Sequence, residues 1–118
     1  MNKINGFKIM WVMVSFDLPT QTKAQRKRYT AFRKMLLAHG FTMMQYSVYV
    51  RHLPTMRKAQ AIITKLGRHT PPQGQCAFVL ITDKQYGMIR NFYGTAPVPK
   101  KKSPKFEQLM LFGESEMA

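Results

Sequence analysis

Apolar residues fall into a few dense runs separated by polar, mostly basic stretches. The first run is residues 9–16, Ile-Met-Trp-Val-Met-Val-Ser-Phe, which meets Asp17 and is stopped by Pro19. A continuous run of this kind predicts a strand over about 7–16, buried on both faces and central in a sheet. Over 22–39 the period changes. Tyr29, Phe32 and Leu36 recur at three- and four-residue steps, which predicts a helix with Thr20 or Thr22 as its cap and Gly40 as its stop.

Residues 41–51 return to an extended pattern with imperfect alternation, which predicts two strands meeting at a bend or bulge near Gln45. A second helix is expected over 55–66, capped by Thr55, with Met56, Ala59, Ile63 and Leu66 inward. The loop 67–74 carries Pro71-Pro72, and Gln75–Thr82 reads as another apolar, central strand. Asp83–Gly87 reads as a turn that opens a single helical turn. From Thr95 to Pro104 three prolines and the triplet Lys100-Lys101-Lys102 predict an extended, solvated basic linker. Phe106–Phe112 is then a short apolar strand that needs a sheet to join, its own or a partner's. The expected organisation is a domain over 1–94, a linker over 95–105 and a strand with its tail over 106–118. The order of elements fits an α+β, ferredoxin-like βαββαβ sandwich with an extra C-terminal strand.

Charge sharpens this picture. The 118 residues carry 19 Lys and Arg against five acids, a formal net charge of +14. Only Asp17 and Asp83 precede Glu107. Such a surface repels itself, so a polyanionic partner is expected. Lys23, Arg26, Lys27, Arg33 and Lys34 crowd a first helix that has no acid, on a face read as roughly opposite its apolar stripe; Lys58 and Lys65 repeat the theme on the second. Lys100, Lys101 and Lys102 add a basic arm. Lys and Arg on regular elements suit a duplex backbone. Tyr46, Tyr49 and Phe41 could stack on bases only if exposed. No zinc-finger or RRM signature supports base-specific readout.

Cys76, the only cysteine, excludes an internal disulfide and reads as a small buried hydrophobe. His39, His52 and His69 show no metal or triad spacing. The run at 9–16 is too short to span a bilayer and no signal-peptide pattern precedes it, so a cytoplasmic protein without membrane contact is expected. Asp17 is the candidate for chemistry. It is either a loop residue bonding a nearby N–H or a ligand for Mg²⁺ or Mn²⁺. One carboxylate is thin for metal-assisted phosphodiester cleavage. Asp83 could supply a second if its strand ends beside Asp17, and a twofold dimer could pair two copies of Asp17.

Val14-Ser15-Phe16-Asp17-Leu18-Pro19, the basic helix with Tyr29, Phe32 and Leu36-Leu37, then Gly40-Phe41 and Gln45-Tyr46-Ser47-Val48-Tyr49, resemble the second of the two universal CRISPR-associated adaptation proteins, in its type II form. The resemblance implies a ferredoxin-like homodimer that bridges dimers of the CRISPR integrase and holds a protospacer duplex during spacer acquisition. It implies a metal-dependent endoribonuclease, with some members cleaving duplex DNA, in which Asp17 is the catalytic residue and the Mg²⁺ ligand. It also implies a late strand that crosses to the partner. The 95–105 stretch is longer than that pattern leads one to expect. The competing expectation is an RNA-binding ferredoxin-like module without catalysis.

Overall fold

A computed structural model describes residues 8–99. Strand β1 (Met10–Asp17) leads to helix α1 (Lys23–Ala38), then to the strands β2 (Thr42–Gln45) and β3 (Val48–Leu53). Helix α2 (Met56–Gly67), strand β4 (Gln75–Thr82) and the short helix α3 (Asp83–Gly87) follow, and β5 (Asn91–Tyr93) and β6 (Ala96–Val98) close as a separate hairpin. The main sheet has the order β2-β3-β1-β4 and is antiparallel throughout. It is the expected α+β, ferredoxin-like arrangement, with β1 in the middle.

The period-two alternation of β1 assigns its residues to two faces. Met10, Val12, Val14 and Phe16 pack in one core with Phe32 and Leu36 of α1 and Ala59, Ile62 and Leu66 of α2. Both long helices therefore lie on this face. Trp11 points to the other face, in a smaller core with Val50 and Tyr86. Its indole lies flat on the Tyr86 ring, with centroids 3.6 Å apart and planes 4° from parallel. The short helix α3 covers that end of the second face. At the other end Ser15 and Asp17 are exposed, beside half-buried Val48 and exposed Ala77 and Val79. The strand is thus buried on both faces over its first half only.

Local signals account for the elements. Thr22 accepts from the Gln25 N–H while the Gln25 side chain returns to the Thr22 N–H, a capping box at the start of α1. Thr55 caps α2 by accepting from the Lys58 N–H, without the reciprocal bond. Gly40, at φ +82°, ends α1 in the left-handed region that glycine adopts without strain. The Arg51 guanidinium donates to the His39 carbonyl at 2.7 Å, placing a cation at the negative end of α1. The expected break near Gln45 is a register shift between Met43 and Gln45, followed by a two-residue turn in which Ser47 has φ +62°. In α2 it is Ile62 rather than Ile63 that is fully turned inward, with Ile63 at the margin of the core. Part of the stretch read as a solvated linker pairs: β6 is exposed but hydrogen-bonds β5. The strand expected over 106–112 and Lys100, Lys101 and Lys102 lie outside the described residues.

Candidate nucleic-acid interface and the Asp17 strand end

Asp17 is the last residue of β1 and is exposed on the sheet face away from α1 and α2. The residues across from it are Gln75 on β4 and, beyond the Ser15–Val48 pair, the Tyr46-Ser47 turn, whose Ser47 carbonyl accepts from the Phe16 N–H at 3.0 Å. No hydrogen-bond or ion-pair partner of the Asp17 carboxylate is found among the described residues. Among the described residues this carboxylate serves as neither a cap nor a turn brace.

Asp83 does not join it. β4 runs antiparallel to β1, so Met10 pairs with Thr82 and Asp17 with Gln75. The two acids stand at opposite ends of the sheet, about 26 Å apart at the ordinary rise of a strand. Asp83 instead accepts from the Trp11 indole N–H at 2.7 Å and starts α3. Its charge and, more strongly, burial push the Tyr86 phenol up to about 12.

The metal expectation meets a definite test here. No group of three or more His, Cys, Asp or Glu side chains among the described residues could hold a metal ion. His39 uses Nδ1 on the Met35 carbonyl at 2.8 Å, at the far end of α1. Within a single chain the donor set at Asp17 is one carboxylate, and that alone does not make a metal site.

The basic residues fall into three groups. Lys23, Lys27 and Lys34 are exposed on the outer face of α1, as expected. Arg26 and Arg33 are exposed too, but they sit on the flank of the helix and each is anchored. The Arg26 guanidinium donates to the Thr20 and Gln21 carbonyls at 3.2 and 3.0 Å. Arg33 Nε donates to the hydroxyl of buried Tyr49 at 2.9 Å. Lys58 and Lys65 are exposed one heptad apart on α2. Across the described residues 14 Lys and Arg stand against Asp17 and Asp83 alone.

Of the three aromatic candidates, Phe41 and Tyr49 are core residues. Tyr46 is 76 % exposed. The Tyr29 hydroxyl beside it, through hydrogen bonding first and charge second, raises the Tyr46 phenol above its ordinary value. Two features were not visible in the sequence. One is a cleft of about 550 Å³ between α1 and the loop after α2, with Phe32 and Met35 in its floor and Arg28, His39, Arg68 and His69 around it. The other is the exposed apolar tip of the β5–β6 hairpin, with Phe92 and Tyr93. Both are assembled from segments distant in the chain or too short to show a period.

Comparison with known proteins gives these features a family. The sequence model of the family described as CRISPR associated protein Cas2 matches residues 10–89. A protein of Parvibaculum lavamentivorans named CRISPR-associated endoribonuclease Cas2 is 48 % identical over 103 residues, which cover 87 % of this chain and all of that one. A protein of the same name from Flavobacterium psychrophilum is 39 % identical over 110 residues, 93 % of this chain and 94 % of its own. The crystal structure of Streptococcus pyogenes Cas2 at pH 6.5 superposes with a TM-score of 0.56 at 23 % identity, covering 70 % of this chain and 99 % of that one. With β1, both long helices and β4 all inside the matched span, the chain belongs to the CRISPR-associated Cas2 family.

Proposed function

We propose that this chain acts as a homodimer in CRISPR spacer acquisition, where it binds duplex DNA and bridges dimers of the CRISPR integrase. In addition it is an endonuclease, an endoribonuclease in the first instance, that cleaves phosphodiester bonds with Mg²⁺ or Mn²⁺ at Asp17. The observation that carries the reading is the charge pattern on the fold. Two acid-free helices lie on one side of the sheet, with Lys23, Lys27, Lys34, Lys58 and Lys65 exposed and Arg26 and Arg33 held at the flank of α1. Lys100, Lys101 and Lys102 add to the positive charge of the sequence. Phosphates are the natural counter-charge.

Catalysis is assigned to Asp17 because its carboxylate is exposed and unpartnered among the described residues at the end of the central strand. The half-open apolar sheet face beside it, with Val79 at 44 % exposure, supports docking of a second copy that brings a second Asp17. A divalent ion held there would polarise the phosphodiester and lower the pKa of a bound water. Relatives named endoribonucleases support the activity. Exposed Phe92, Tyr93 and Val98 offer an apolar surface of the kind that meets a protein partner. No helix among the described residues is long and apolar enough to cross a membrane, and the expected setting is the cytoplasm.

The single carboxylate per chain favours a second reading, in which the same surface binds RNA or DNA as a scaffold without catalysis. Spacer integration with the purified integrase, using the parent chain and Asp17→Ala, separates the two. Integration lost together with RNA cleavage supports the catalytic reading. Integration retained by Asp17→Ala while RNA cleavage is lost would make the chain a scaffold in acquisition, and cleavage unchanged in the variant would mean that Asp17 performs no chemistry.

A further inference from the structure

Tyr46 stands at the tip of the β2–β3 hairpin and is 76 % exposed. A lone exposed tyrosine is common and needs no explanation. This one is fixed. Its ring is stacked against Tyr29 of α1, with centroids 6.0 Å apart and planes 21° from parallel. Tyr29 in turn shares a hydrogen bond of 3.0 Å with Ser47, the next residue of the turn, and its ring also packs on Phe16. The Tyr29 ring thus lies alongside Tyr46 in a nearly parallel, offset arrangement, and most of the Tyr46 ring is open to solvent.

The surroundings add charge at a useful spacing. Arg26 and Arg33 lie three residues before and four residues after Tyr29, so the three share one flank of α1. The two guanidinium groups rise from points about 10 Å apart along the helix axis. Each is held by its own bonds, Arg26 to the Thr20 and Gln21 carbonyls and Arg33 to Tyr49. A guanidinium carries five N–H donors, so both keep donors for a ligand while their positions are already fixed. An exposed ring alongside Tyr29, which lies between two pre-set guanidinium groups on the helix, matches a nucleotide: a base with phosphates on either side.

We propose that Tyr46 is a stacking platform for an unpaired base of a nucleic-acid strand whose phosphates rest on Arg26 and Arg33. A base inside a duplex offers only its edges, so the platform would engage a single strand or an overhang, while Lys23, Lys27 and Lys34 serve the paired backbone. The inference rests on the nucleic-acid function proposed above and adds a preference for unpaired ends. Stacking and phosphate contact do not distinguish ribose from deoxyribose, so both kinds of strand belong in the test.

The test compares the parent chain with Tyr46→Ala and Tyr46→Phe on four probes: a blunt DNA duplex, the same duplex with a single-stranded overhang, and single-stranded RNA and DNA. The overhang carries 2-aminopurine, whose fluorescence falls on stacking. Tyr46→Ala is expected to lose about tenfold in affinity for the overhang and at least one single strand, with the quench abolished and blunt-duplex affinity unchanged. Tyr46→Phe should behave like the parent. A parent chain that gains nothing from the overhang overturns this proposal and leaves the duplex reading intact. One that binds single strands but not blunt duplex does the reverse. Equal loss on every probe, or a changed oligomeric state in Tyr46→Ala, would make Tyr46 a structural or interface residue and overturn the platform.

Discussion

The indole N–H of Trp11 donates to Asp83 across the β1–β4 pair, so the two acids of the described chain have opposite duties. Asp83→Ala leaves a buried indole N–H unsatisfied and should cost about 1–3 kcal/mol. Urea unfolding followed by the fluorescence of the single tryptophan would read it. RNA cleavage by the folded fraction should be unchanged. Asp17→Ala should show the converse: unfolding shifted by no more than about 0.5 kcal/mol, as for an exposed side chain without partners among the described residues, and cleavage lost. Equal destabilisation by the two substitutions would contradict the placement of Asp17.

Lys27 and Arg33 should also separate. Lys27→Ala removes one exposed phosphate contact and should lower the slope of log affinity against log salt by about 1, without affecting stability. Arg33→Ala should do the same to the slope and also destabilise by about 1 kcal/mol, because the hydroxyl of buried Tyr49 loses its donor. Binding of a duplex with a single-stranded overhang over a salt series, with a thermal melt of each variant, measures both. An Arg33 variant as stable as the Lys27 variant would mean that the tether to Tyr49 contributes nothing.

Burial pushes the Cys76 thiol up to about 11, only partly offset by a hydrogen bond from Thr70. An unfolded thiol titrates near about 8.5. The folded pKa is therefore the raised one, and the stability it confers is complete below the unfolded value and lost as pH rises towards 11. The stability advantage of the parent over Cys76→Ala should shrink between pH 8.5 and 11. Taking the difference between the two proteins removes the parallel contribution of Tyr86, which both share. A gap that stays constant over that range would show the thiol to be solvated.

Gly74 sits in the loop before β4, and a Cβ there would run into the Leu18 side chain and press on the Pro71 carbonyl. Leu18 is buried and directly follows Asp17. Gly74→Ala should therefore shift the end of β1, lowering cleavage several-fold while duplex affinity, carried by the helices, is kept. Gly87→Ala is the control, since nothing lies near its Cβ. Equal activity of the two variants would show that Leu18 yields without moving Asp17.

Much of the fold was readable from the chain. The run at 9–16 announced a central strand because both of its sheet neighbours and two cores draw on it. Thr22, Thr55 and Gly40 marked helix ends because capping is a local matter. What escaped was long-range. That Asp83 belongs to Trp11 follows from antiparallel pairing over the full length of β1, which no spacing reveals. That Arg26 and Arg33 are tethered depends on the loop and strand that the helix meets. Ile62 displaced Ile63 because both adjacent isoleucines fall at three- or four-residue steps from Ala59 and Leu66, so spacing alone does not choose between them. The β5–β6 hairpin is too short for any periodicity to emerge.

Antiparallel pairing of β1 with β4 also bears on how activity is regulated. It sends the chain's other early acid to the far end of the sheet, so among the described residues of one molecule no second carboxylate joins Asp17. On the proposed reading, turnover belongs to pairs of molecules. Below the dimer dissociation constant the rate would follow the square of the protein concentration, and a cell could silence cleavage by modest dilution alone.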